Sequence, residues 1–423
     1  MPGLRAIYAE RYRCFYERTA LELRPLTLLY GRNNVGKSAL LRLLPLLSAS
    51  VEDRSTVPLD LGHPAARGVS MPGLLWRGPT AADAKTGMDL AIEWDSSAKV
   101  RRVEYQIDFN REHGWAYVRR FRAWRDPASE AVEPEFDASR VPTHEDVKPT
   151  RLQYQLRGRT EPVELPVAGL RPVPGAHRFP LLEEIAAQLS ELRGAVQWIQ
   201  ALRSAPPRLL PIRGGAPHVL EPDGSDALHL LQSDKELQTE VSQWYERELG
   251  CRLELRSAGS TEFRSVLVPV ARSQLDVDLA DAGEGMAQVL PLIVALARAR
   301  RGGSVPRVVT IEEPESHLHP DAQRALAGLM LHAAAEDDPP YTVLETHSHA
   351  MLLAVQLGIA RDPRLAEHVI AYWVHQLDDG RSRAEKITFS EHGQPQGNWP
   401  PNAFSDQREL ARELVRLQLE RLE

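Results

Sequence analysis

The order of apolar and polar positions divides the chain into segments of distinct period. Leu26-Thr27-Leu28-Leu29-Tyr30 is a short apolar run, which predicts a buried strand. A turn from Gly31 to Gly36 follows, and then Ser38-Ala39-Leu40-Leu41-Arg42-Leu43-Leu44 places leucines at helical spacing. Pro45 predicts a kink or an end to that helix. Residues 51–75, rich in Gly, Pro and Asp, predict a loop, and 88–125 are strand-like, as in Trp115-Ala116-Tyr117-Val118. Residues 126–150 carry Pro, Asp and Glu with little periodicity and predict an exposed linker. A helix is expected from 181, continuing towards Trp198-Ile199 and ended by Pro206-Pro207, with a second over 225–249. Beyond it, strands at 265–270, 307–311 and 342–345 alternate with helices at 285–300, 321–335 and 350–357, the pattern of a parallel α/β sheet. From Ser405 to the end the pattern is that of a capped amphipathic helix.

Composition narrows the class. The 423 residues suit two or three domain-sized units, and 43% apolar with 26% charged residues is ordinary for a soluble globular protein. The net charge of −7 excludes a polycation, so any DNA contact needs a local patch. Cys14 and Cys251 form no C-x-x-C pair, which argues against a disulfide framework or a cysteine zinc site. The N-terminus, MPGLRAIYAERYRCF, has no apolar signal core, and the apolar stretch 286–297 is too short to span a bilayer. The expectation is a cytoplasmic protein with no membrane partner.

Gly31-Arg32-Asn33-Asn34-Val35-Gly36-Lys37-Ser38 fits G-x-x-x-x-G-K-[ST], a spelling expected by chance in roughly one chain of this length in fifty to a hundred. Glycines let successive N–H groups turn towards phosphate oxygens, Lys37 adds a charge for the β- and γ-phosphates, and Ser38 offers a hydroxyl to Mg²⁺. The helix that starts here directs its positive end at the same anion. Further on, Val308-Val309-Thr310-Ile311 delivers Glu312-Glu313-Pro314-Glu315. One acid at such a strand end positions Mg²⁺ and the next accepts a proton from the attacking water. Glu312 is assigned to the metal side and Glu313 to the general base.

More than half the chain separates Lys37 from Glu313, too much for a compact P-loop domain. This layout resembles ABC-type heads of the SMC, RecF and OLD-like ATPases, in which inserted arms or lobes split the nucleotide domain. Asp281-Ala282-Gly283-Glu284-Gly285-Met286 resembles the ABC signature loop, and Val343-Leu344-Glu345-Thr346-His347-Ser348 looks like the switch-histidine strand. Glu312 to Pro320 resembles the EEPE-x-x-LHP form of OLD-like ATPases, and Asn398-Trp399-Pro400 resembles the end of a stand-alone, TOPRIM-free group of them. The resemblance implies an ABC-type head with a mixed or parallel sheet, helices on both faces and an inserted α+β lobe. Residues 1–95 and 261–375 would be the halves of the head, 96–260 the lobe and 376–423 an extension. It also implies a homodimer with ATP sandwiched between heads: Gly283 and Gly285 would face the phosphates held by the partner copy, and His347 would reach the γ-phosphate or the water. Arg13, in Tyr12-Arg13-Cys14-Phe15, matches a family arginine near the nucleotide. The signature serine is replaced at Gly283, Glu312 stands where aspartate is usual, and residues 39–105 contain no glutamine for a Q-loop. These departures bear on hydrolysis rate more than on binding.

Two functions follow from the resemblance. One is an ATPase whose dimerisation controls a separate effector, a nuclease for example, in anti-phage defence or DNA repair. The other is a nucleotide-sensing scaffold that assembles with a partner and hydrolyses little. Two further patterns carry alternatives: the His317/His319 and His347/His349 pairs have zinc-compatible spacing or are incidental, and 117–125, with basic and aromatic residues interleaved, is a DNA-contacting run or a strand with one solvated face.

Overall fold

The computed structural model describes residues 3–52, 57–78, 86–126, 135–138, 151–156, 163–173, 180–215, 219–303, 306–400 and 403. The first strands, β1 (Leu4–Glu10) and β2 (Thr19–Glu22), form a hairpin, followed by β3 (Leu26–Gly31), α1 (Lys37–Ala49) and the one-turn α2 (Met71–Leu74). Then come β4 (Gly87–Trp94), β5 (Arg102–Asn110), β6 (Trp115–Trp124), β7 (Glu135–Ala138), β8 (Arg151–Leu156), β9 (Val163–Ala168) and β10 (Arg171–Pro172). With β1 and β2 these make a nine-stranded antiparallel sheet in the order β10-β9-β8-β7-β6-β5-β4-β1-β2. The position between residues 95 and 96 thus falls between two paired strands of one sheet. Of the expected linker 126–150, Glu135–Ala138 is a strand, and 127–134 and 139–150 lie outside the described residues.

The rest of the chain contributes α3 (Pro180–Ser190), β11 (Val196–Ile199), β12 (Leu210–Pro211), α4 (Ala227–Ser233), α5 (Lys235–Leu249), β13 (Cys251–Ser257), β14 (Glu262–Pro269) and β15 (Val277–Asp278). After these follow α6 (Glu284–Gln288), α7 (Leu290–Arg301), β16 (Val308–Glu312), α8 (Pro320–Ala334), β17 (Tyr341–Glu345), α9 (His349–Arg361), α10 (Leu365–His368), β18 (Val369–Gln376), β19 (Ser382–Phe389) and β20 (Pro395–Gln396). The central sheet runs β11-β16-β17-β3-β18-β19-β20, parallel from β11 to β18 and antiparallel beyond.

Strand parity explains both cores. Along β3, Leu26, Leu28 and Tyr30 enter the core built with α7, α8 and α9, while Leu29 enters the one built with α1 and the antiparallel sheet. Val308 and Val343 face the α1 side, and Val309, Ile311 and Leu344 the other. Helices on both faces are why these strands read as unbroken apolar runs.

Several expectations are corrected. The helix does not continue to Trp198-Ile199: α3 stops at Ser190, Gly194 turns the chain at φ 60°, and Val196–Ile199, all buried, becomes an edge strand of the central sheet paired with β16. Residues 96–260 therefore include a strand of the head. Pro45 does not end α1, which runs to Ala49 because Leu46 and Leu47 remain buried against the sheet. The helix expected over 225–249 is two, broken where Asp234 accepts from the Leu237 N–H and caps α5. That over 285–300 is likewise two, with Pro291 in the first turn of α7. The helix expected from Ser405 lies outside the described residues. No described helix is long and apolar enough to cross a membrane.

Candidate functional site

The carboxyl ends of β3, β17 and β16 lie side by side, where open α/β sheets bind ligands. The loop from β3 to α1 wraps tightly: Asn34 has φ 62° and Gly36 φ 106°. A Cβ on Gly36 would meet Cys14 Sγ at 2.4 Å and the Phe15 ring at 2.8 Å, and one on Gly31 the Val374 carbonyl oxygen at 2.1 Å. The turn Tyr12–Phe15 therefore sits directly against the phosphate-type loop, and Arg13, itself at φ 54°, lies there with it. Arg13, Asn34, Gly36, Lys37, Ser38, Arg42, Trp76 and Glu345 line a cleft of about 870 Å³. Gly31, Asn33 and Val35 complete the loop.

Lys37 is 3% exposed. Its ammonium donates to the carbonyls of Gly31 (3.1 Å) and Arg32 (2.7 Å) and stands 3.8 Å from Glu345 Oε1. Burial lowers its pKa, opposed by the charges of Glu345, Glu313 and Glu315.

Two expected site residues, Glu313 and His347, come together with Glu345, which the sequence reading did not single out. Ligand atoms of Glu313, Glu345 and His347 lie within 4.8 Å of one another. Glu313 occupies a left-handed conformation, φ 43°, immediately after β16, and its N–H donates to the Glu345 carbonyl at 2.9 Å. A non-glycine residue in this region stores of order 1 kcal/mol or more, and such strain clusters at functional sites. Ser316 Oγ donates to Glu313 Oε2 at 3.1 Å. Glu315 accepts from the His347 N–H (2.5 Å) and Thr346 Oγ1 (2.8 Å), holding the switch turn; burial raises its pKa. The pKa of His347 is lowered, through desolvation first and the charge of Lys37 second.

Glu312, expected on the metal side, is turned towards α1. Arg42 donates from Nε to Oε1 (2.5 Å) and from a terminal nitrogen to Oε2 (2.6 Å), and the Trp198 indole adds a third bond at 3.0 Å. Glu345 instead stands beside Ser38, whose hydroxyl, with Lys37, offsets the upward push of burial on its pKa.

Gly283 and Gly285 are not among the cleft-lining residues. Gly283 is exposed at the start of α6, and a Cβ on Gly285 would lie 2.6 Å from the His317 carbonyl oxygen, so this segment packs on the loop that follows Glu313. The histidine pairs separate: His317 pairs with Glu284 at 2.7 Å, and His319 accepts from the Asp321 N–H at the start of α8. On β6, Arg119 and Arg122 pair with Asp108 and Glu104, and Arg125, just past its end, pairs with Glu184, which fits a strand with a solvated, charge-paired face.

Arg203, in the segment after β11, went unnoticed in the sequence. It is 7% exposed, with Nε bonded to Gln288 Oε1 (3.2 Å) and a terminal nitrogen to the Glu313 carbonyl (3.3 Å), while Gln288 returns a bond to the Arg203 carbonyl (3.0 Å). Burial lowers its pKa to about 10, so it stays charged at neutral pH. It joins α6 to the backbone of Glu313. Arg203→Ala is expected to lower any turnover on the order of tenfold, the value of a charged hydrogen bond, with nucleotide affinity changed little; equal loss of both in titration and steady-state assays would refute the link.

A P-loop, an acidic strand end and a switch strand converging at one edge of a parallel sheet define an ATPase head of the ABC type. An Smc head bound to the C-winged helix domain of ScpA is similar at 11% identity, covering 92% of this chain and 98% of that one with a TM-score of 0.52. An Smc head with an extended coiled coil, bound to the C-terminal domain of ScpA derived from Pyrococcus furiosus, matches at 11% identity over 92% and 97% with a TM-score of 0.50. The family described as "AAA domain, putative AbiEii toxin, Type IV TA system" matches residues 26–354, most of the sequence, and the chain belongs to it. No curated protein matches the sequence.

Proposed function

We propose that this chain binds Mg·ATP in the cleft at Lys37, hydrolyses it, and uses the nucleotide to clamp two copies head to head and so control a separate effector. The observation that carries this is the convergence of Lys37 with Glu345, 3.8 Å away, and of Glu345 with Glu313 and His347 within 4.8 Å. In this reading the backbone of Gly31, Asn33, Asn34, Val35 and Gly36 cradles the phosphates, Lys37 pairs with their charge and Arg13 flanks the nucleotide. Glu313 takes the proton of the attacking water, and His347 donates to the γ-phosphate or that water. Mg²⁺, when bound, would neutralise charge on the phosphate oxygens. Gly283 and Gly285, at an exposed helix start, would serve the nucleotide of the partner copy.

The effector as a separate chain is supported by the Smc heads seen bound to ScpA domains, and a setting in DNA surveillance, anti-phage defence or repair, in the cytoplasm, by the resemblance to OLD-like and RecF-like heads. A nucleotide-sensing scaffold that turns over little is the second reading, favoured by the engagement of Glu312 with Arg42 and Trp198. Steady-state phosphate release by the full chain separates the two. The ATPase reading expects release that Lys37→Ala abolishes together with nucleotide binding; tight ATP binding with no release by the wild type would leave only the scaffold.

A further inference from the structure

Strands β16 and β17 pair with Glu312 opposite Glu345, and both side chains leave on the α1 side of the sheet. Their fates differ because of strand order. β17 lies next to β3, whereas β16 lies one strand further out, between β17 and β11. Glu345 therefore arrives beside Lys37 and Ser38, and Glu312 arrives beside Arg42, a turn further along α1, and beside Trp198 of β11.

The hydrogen bonding separates the two acids further. Glu312 receives three donors, two from a guanidinium in forked geometry, which satisfies both oxygens. Glu345 is 5% exposed and faces the cleft; the Ser38 hydroxyl bonds its carboxylate and the Lys37 ammonium stands 3.8 Å from Oε1, yet Oε2 has no hydrogen-bond partner among the described residues. A buried carboxylate oxygen without a donor is costly. A hard divalent cation, which takes oxygen ligands, removes that cost.

Building on the reading of the chain as a nucleotide-binding head, we propose that Glu345, rather than Glu312, is the carboxylate that holds the nucleotide's divalent cation together with Ser38. Glu312 is then a structural bridge that ties α1 to β11 and β16 through Arg42 and Trp198. Glu345 stands immediately before Thr346 and His347, so the cation and the switch turn share one backbone.

Mn²⁺ tests this, counted as free ion by electron paramagnetic resonance during titration of the full chain saturated with ADP. ADP affinity in EDTA is measured alongside. Glu345→Gln is expected to weaken Mn²⁺ binding ~10- to 100-fold while ADP affinity in EDTA stays within about twofold. Glu345→Asp should lie between it and the wild type, and serves alone if the glutamine variant does not fold. Glu312→Gln should leave the Mn²⁺ affinity unchanged. Wild-type Mn²⁺ affinity in Glu345→Gln, or the loss appearing in Glu312→Gln instead, overturns the assignment while the nucleotide reading stands. A wild type that binds no ADP under either condition overturns both.

Discussion

Glu313→Gln is expected to lower phosphate release on the order of 100- to 10,000-fold, the range that general-base catalysis supplies, while ATP binding persists. The amide keeps the shape of the side chain and can still accept from Ser316, whose hydroxyl is 3.1 Å from Oε2. It cannot accept a proton from water. The backbone features that place it, the left-handed φ of 43° and the bond from its N–H to the Glu345 carbonyl, do not depend on the carboxylate. Hydrolysis is thus separated from binding, and the ATP-bound dimer should accumulate. Phosphate release under single-turnover conditions, with light scattering to follow the mass of the complex, reads both. Turnover within a few-fold of the wild type would remove Glu313 from the base role, and a monomer with ATP bound would remove the clamp.

Arg42→Ala should give the largest change in stability, a loss of roughly 3–5 kcal/mol, as for a buried ion pair deprived of one partner. Glu312 is 3% exposed and accepts both of its charged bonds from Arg42. Removing the guanidinium leaves a carboxylate in the core with only the Trp198 indole. The test is urea unfolding at neutral pH with and without the second change Glu312→Gln, which removes the stranded charge and keeps an acceptor for the indole. The double variant is expected to recover more than half of the loss. A cost below about 1 kcal/mol for Arg42→Ala would mean that the pair behaves as a solvated one and that Glu312 is free for another role.

Much of the candidate site was legible because its chemistry is local. The phosphate-type loop needs glycines where the backbone passes other atoms closely, and Gly31 and Gly36 are where a Cβ would collide with Val374 and Cys14. The apolar run before Glu312 announced a buried strand, and the run before His347 another, because a strand covered on both faces has no polar period. Val196-Gln197-Trp198-Ile199 was misread for the same reason: four residues are too few to show a period, and a nearby helix supplied a false context. The pairing of Arg203 with Gln288 joins residues remote in the chain, and no local spacing announces it.

By itself, the sequence determined the glycine-rich loop before α1, the alternating strands and helices, and the acids and histidine at strand ends, since each depends on neighbours within a few positions. Only the tertiary structure decided which acid faces what. Glu312 and Glu345 both end buried strands on the same side of the sheet, and residue type cannot tell them apart. The order β16-β17-β3 puts Glu345 next to the lysine and Glu312 next to Arg42. Strand order is a property of long-range pairing, set by how the two cores bury their surfaces, and no window of sequence contains it.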